Sequence, residues 1–175
     1  MKTTAEWLHE IKTVPGKVEA WLERQYIGEV LAARRIGLLA SSLPYIAPAH
    51  RVLAKIAQDE ADHAAWVSGL LLNRGMDLPV VTDDGVRYWE PILGVPETFE
   101  EICAAGHHAE EMRLVRIRAL VEDQDLPLDI RDVFARILTD EEFHASAFET
   151  LSTPEAIERM RPYHEAGLEA LGLTI

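Results

Sequence analysis

The sequence holds a single cysteine, Cys103, among 175 residues, so one chain cannot form an internal disulfide, a CxxC redox pair or a four-thiolate zinc or iron site. Basic residues are also scarce. The 17 Lys+Arg face 30 Asp+Glu, for a net charge of −13 and a pI near 4.9. That field repels phosphate backbones and no Lys/Arg cluster overrides it, so nucleic acid is not an expected partner. Long apolar runs are missing too: the most apolar stretch, Ile36 to Ala49, is short and carries Pro44 and Pro48, so no membrane span is expected. The first dozen residues lack a basic segment followed by an apolar one, which makes the cytoplasm the expected location. What remains is 48% hydrophobic and 27% charged, the composition of one ordinary globular domain over residues 1–175. A chain of this size buries roughly 70% of its unfolded surface and needs no disulfide or metal staple.

Helical periodicity runs through most of the chain. Thr3 with Glu6 forms a capping-box pattern for a short first helix ending near Val14. Pro15 reads as a first-turn proline for helix A, from about Gly16 to Ser41. Pro48 opens helix B, which Gly75 stops. Thr98 with Glu101 opens helix C, running to about Asp123, and Asp129 is the expected cap of helix D, which reaches Leu151. Ser152 with Glu155 is expected to start a terminal helix over about 154–172, with Pro162 kinking or breaking it. Short A–B and C–D links predict two antiparallel hairpins. The B–C link, about 76–97, is long, and its Asp83-Asp84-Gly85 signal suits either a small β-hairpin or an extended crossover. The expected architecture is an all-α four-helix bundle with one long B–C crossover and short terminal helices, its core spanning about 16–151.

Each of the four helices carries an acid, and two add a histidine: Glu29 on A, Glu60 and His63 on B, Glu110 on C, Glu141 and His144 on D. Residues three apart share a helix face, so each Glu-x-x-His can aim a carboxylate and an imidazole at one point. The motif alone is weak. With 20 Glu and 7 His in 175 residues, chance supplies about 0.8 such pairs, and Glu6 with His9 also fits. Register separates the other two. The intervals 29 to 60 and 110 to 141 are both 31 residues, while 29 to 110, 60 to 141 and 63 to 144 are all 81. Residues 52–64, VLAKIAQDEADHA, also match 133–145, VFARILTDEEFHA, at 7 of 13 positions, so one helical hairpin has been used twice.

The acids share stripes with apolar residues: Leu22, Ala33 and Ile36 around Glu29, Leu53, Ile56 and Val67 around Glu60, Cys103, Leu114 and Ile117 around Glu110, Phe134, Ile137 and Phe148 around Glu141. They are therefore expected to face the core. Four buried carboxylates repel one another and each carries a desolvation cost of several kcal/mol, whereas two divalent cations cancel their charge. Four carboxylates and two imidazoles form the ligand set of a di-iron or di-manganese site. The rival reading neutralises the acids with protons or with arginines such as Arg34, Arg113 and Arg116. Glu111 remains the alternative to Glu110. Trp66, Phe143 and Phe148 are read as packing, Tyr26 and His107 as core fillers, Cys103 as a small buried hydrophobe, and His50, His108 and His164 as surface residues.

Glu60-Ala-Asp-His63-Ala and Glu141-Glu-Phe-His144 resemble the two motifs of rubrerythrin, within the ferritin-like superfamily, and the resemblance covers helices A to D. It implies a ferritin-like bundle holding two iron ions, with manganese as the alternative, on Glu29, Glu60, His63, Glu110, Glu141 and His144. Whether Glu60 and Glu141 bridge or bind terminally stays open. Asp59 and Asp140 resemble residues that orient ligating histidines in related monooxygenases. The implied activity is a di-iron oxidoreductase acting on O2 or peroxide, and on a small organic molecule if one is admitted; the alternatives are a ferroxidase of iron storage and a structural or manganese protein. Three departures shape the expectation. A rubredoxin module cannot be built from Cys103 alone, so the electron donor is external. His107, matched by Tyr26 across the repeat, stands where rubrerythrin has an extra glutamate. Ala61 stands where bacterioferritin has its haem-ligating methionine, so haem is not expected. A homo-oligomer, dimer or larger, is expected.

Overall fold

The computed structural model describes residues 1–82 and 87–174. Among them the regular structure is all-helical: α1 (Thr4–Thr13), α2 (Lys17–Ser41), α3 (Pro48–Asn73), α4 (Phe99–Glu122), α5 (Leu128–Leu151) and α6 (Pro154–Leu171). None of these helices is long and apolar enough to cross a membrane. The chain divides into two compact units, one of Ile11–Asp83 and one of Met1–Glu10 with Asp84–Ile175.

In the first unit α2 packs along α3. Pro15 falls in the turn ahead of α2 rather than inside it, because Gly16 takes the N-cap with a left-handed φ of 78°. Pro48 occupies the first turn of α3, where its missing N–H costs nothing. At the other end Gly75, at φ 72°, lets its own N–H reach Leu72 O and that of Met76 reach Leu71 O, closing the helix onto carbonyls of its last turn. Leu22, Leu53, Ile56, Val67 and Leu71 are fully buried along the shared face. Each contributes about 1.5–3 kcal/mol by leaving water. The expected packing stripes miss Trp21 and Leu31, which are buried as well.

In the second unit α4 packs on α5 and on α6. The Thr98–Glu101 capping box forms as expected, and Arg159 joins it through Glu101 at 2.8 Å. Two caps differ from expectation. Pro127, not Asp129, precedes α5, leaving Asp129 in the first turn, where its charge favours the helix dipole. Thr153, not Ser152, caps α6 by accepting from Ala156 N at 3.1 Å, while Ser152 donates to Glu100 O. Pro162 does not break α6. Burial of Ala156 and Met160 before it and Gly167 after it holds both halves in place. Of the long link, residues 87–94 form successive turns with no strand among the described residues, and the Asp83-Asp84-Gly85 signal lies outside them.

Tyr88 and Ile92 of that link are buried in a cluster with Ala104, Ala109, Met112 and Met160. Gly167 permits this approach: a Cβ there would lie 2.6 Å from Tyr88 O. Gly167→Ala must therefore displace backbone. Overpacking of this kind costs about 1–3 kcal/mol, which for a chain of this size lowers Tm by roughly 2–10 °C in a circular-dichroism melt. The chain ends also meet in this unit, through Lys2 N donating to Gly172 O and Thr174 N to Lys2 O.

Candidate functional site

Each unit contains one buried Glu–Glu–His group. In the first, α2 supplies Glu29 and α3 supplies Glu60 and His63, with side chains 0–1% exposed. The i, i+3 spacing turns Glu60 and His63 to the same side of α3, and the facing stripe of α2 brings Glu29 to them. His63 Nδ1 is 3.9 Å from Glu29 Oε2 and 4.0 Å from Glu60 Oε2. One donor atom from each of the three lies within 4.8 Å of the others. The Trp66 ring flanks the imidazole, ring centres 5.5 Å apart and planes tilted by 41°.

In the second unit α4 supplies Glu110 and α5 supplies Glu141 and His144, again with donor atoms within 4.8 Å of one another. His144 Nδ1 is 3.4 Å from Glu141 Oε2. Glu110 is buried and Glu111 is exposed, which removes the ambiguity between these neighbours. A cation is also present here. Arg113, one turn after Glu110, places Nη2 2.7 Å from Glu141 Oε1 and Nε 3.9 Å from Glu110 Oε2. Burial pushes the Glu141 carboxyl up, but the Arg113 charge and hydrogen bonds with His144 and Glu110 outweigh it and hold the group well below the usual carboxylate range. Of the arginines in the rival reading, Arg113 thus does meet the acids. Arg34 is exposed, and Arg116 lies over the Trp7 ring at 5.5 Å, with burial lowering it to about 10.

The remaining expectations divide. Cys103 is buried and its thiol is pushed up to about 12, chiefly by burial, so it is a packing residue rather than a nucleophile. Asp59 and Asp140 are half-buried, and Lys55 donates to Asp59 at 2.6 Å. His107 donates from Nδ1 to Ala145 O. Phe143 is exposed rather than packed. His50 and His164 are half-buried, and His108 is buried, contrary to their reading as surface residues. His50 donates to Ala40 O at 2.9 Å, and His108 donates from Nε2 to Ile157 O at the same distance.

His108 stacks on His164, ring centres 4.8 Å apart and planes 13° from parallel, and the Tyr88 hydroxyl lies 2.8 Å from His164 Nδ1. Burial, reinforced by His108, Arg161 and His107, lowers His164 to about 4. Burial and Glu110 raise Tyr88, so the hydroxyl donates and the imidazole accepts. Unfolded, His164 titrates near 6.5. Between pH 6.5 and 4 the unfolded chain therefore binds more protons, so this contribution is complete above pH 6.5 and is lost as the pH falls toward 4. Melts recorded from pH 7 down to 4.5 are expected to show a falling Tm whose slope is shallower in His164→Gln. Equal slopes would remove His164 from the pH dependence.

An all-helical chain in which two hairpins each carry a buried Glu–Glu–His group defines a class of helical carboxylate–histidine proteins. The Rubrerythrin family model matches residues 21–152, and the chain belongs to that family, with its ferritin-like helical fold. No curated protein and no solved structure matches it.

Proposed function

We propose that each of the two Glu–Glu–His groups holds one metal ion of a di-iron oxidoreductase that reacts with O2 or peroxide, with manganese as the alternative metal. The observation that carries the reading is that each hairpin buries two carboxylates and one imidazole with their donor atoms within 4.8 Å. The donor set fits. Hard carboxylate oxygens with a borderline imidazole nitrogen suit divalent iron or manganese better than a soft thiophilic metal. Four carboxylates balance the charge of two divalent cations, and family membership over residues 21–152 supports the same assignment.

In this reading Glu29, Glu60 and His63 would hold one ion and Glu110, Glu141 and His144 the other. Iron bound there would supply two-electron reduction of peroxide, in which two electrons and two protons yield two waters, with the electrons drawn from an external donor. The protein's part is positional. Leu53, Ile56 and Val67 on α3, and Phe134, Ile137 and Phe148 on α5, wall the two groups from water, and the i, i+3 spacing fixes each imidazole against its carboxylate.

Stopped-flow mixing of the Fe(II)-loaded protein with peroxide tests the activity. One peroxide is expected to be consumed per two irons, at a rate well above that of free Fe(II) in the same buffer. Oxidation no faster than in buffer would contradict it.

A further inference from the structure

Arg113 breaks the internal repeat at a place that matters. Its counterpart 81 residues earlier is Ala32, three residues after Glu29 just as Arg113 is three after Glu110. Only the later hairpin therefore carries a guanidinium at this register. Its side chain is 18% exposed, so it reaches inward from near the surface, and it ends 2.7 Å from an oxygen of the fully buried Glu141. On the other oxygen of the same carboxylate sits His144, at 3.4 Å.

We propose that Arg113 is a positioning residue that stands in for a metal ion at the α4/α5 group, holding Glu141 and Glu110 in the metal-free protein and yielding Glu141 when a cation enters. The inference rests on the reading of these residues as ligands. Its physical basis is competition: a carboxylate whose charge is already engaged by a guanidinium attracts a divalent ion less, and the two cations then repel each other. The residue thus stabilises the empty site and weakens the occupied one. Breaking a buried ion pair by removing one partner is strongly destabilising, so the empty protein depends on it. The two ions consequently bind in unequal steps, with the α4/α5 group filling second.

Calorimetric titration of the metal-free protein with Mn2+, alongside melts of the same samples, tests this in the wild type, Arg113→Gln, Arg113→Met and Arg113→Lys. The wild type is expected to take up two ions in two resolved steps. Both neutral variants should tighten the weaker step by about 10–100-fold, the scale on which groups contacting ligands alter metal affinity, leave the stronger step unchanged, and lower the melting temperature of the empty protein. Two neutral variants keep the comparison intact if one folds poorly. Arg113→Lys, which keeps the charge, should retain the separation of the steps. A weaker step that is unmoved in the neutral variants, or weakening of both steps, overturns the proposal. Failure of the underlying reading looks different: every protein, including the wild type, then binds fewer than two ions whatever stands at position 113.

Discussion

Replacing His63 with leucine is expected to weaken the binding of one metal ion by at least about 100-fold, with the second ion retained, and His144→Leu is expected to do the same to the other. Loss of residues that merely contact a ligand costs 10–100-fold, so loss of the ligand itself sets that scale as a floor. Leucine approximates the imidazole in volume and offers no donor atom, so the packing of these fully buried positions is largely kept while coordination is removed. Equilibrium dialysis against Mn2+, read by elemental analysis, checks both variants. If either one still retains two ions with wild-type affinity, that histidine is not a ligand.

Glu29→Met/Glu60→Met tests why the acids are there at all. Both side chains are buried, among Leu22, Leu53 and Ile56. If they serve the fold, their loss destabilises the protein. If they are kept for metal, the empty protein should become more stable, because replacing buried charged groups by apolar side chains of similar shape is often favourable by about 1–4 kcal/mol, and methionine adapts to irregular space. The expected result is a metal-free variant that melts above the metal-free wild type and whose melting temperature responds less to added Mn2+. A wild type loaded at 100 times its Kd gains about 2.7 kcal/mol per site, so the loss of response is readily measured. A double variant that melts well below the empty wild type would assign the acids a structural role.

The sequence disclosed most where the physics is local. Thr3 with Glu6 and Thr98 with Glu101 form their capping boxes because both partners lie within one turn. Gly75 ends α3 because only its left-handed backbone lets two N–H groups turn back to the helix. The burial of the six acids and imidazoles was legible through a repeat of 81 residues, and most of the apolar stripe residues around them turned inward as expected, while Ala33 and Ile36 are only half-buried. Local rules misplaced the caps of α5 and α6 by one or two residues, since Pro127 and Thr153 serve as well as their neighbours and tertiary contacts decide. Tyr88, His108 and His164 were not legible. Their partners lie 49 to 76 residues away, and no spacing announces an imidazole stack between helices. Arg113 was visible only as a rival to the metal. Its periodicity places it near Glu110, but a flexible side chain's choice of Glu141 is settled by packing.

The most direct test of the central claim is elemental analysis of the protein after anaerobic reconstitution with Fe(II) and removal of free metal. Two irons retained per chain in the wild type, falling to one in His63→Leu and one in His144→Leu, is the predicted result. A wild-type chain that keeps one iron or none, with its buried carboxylates balanced by protons and Arg113 alone, would contradict it.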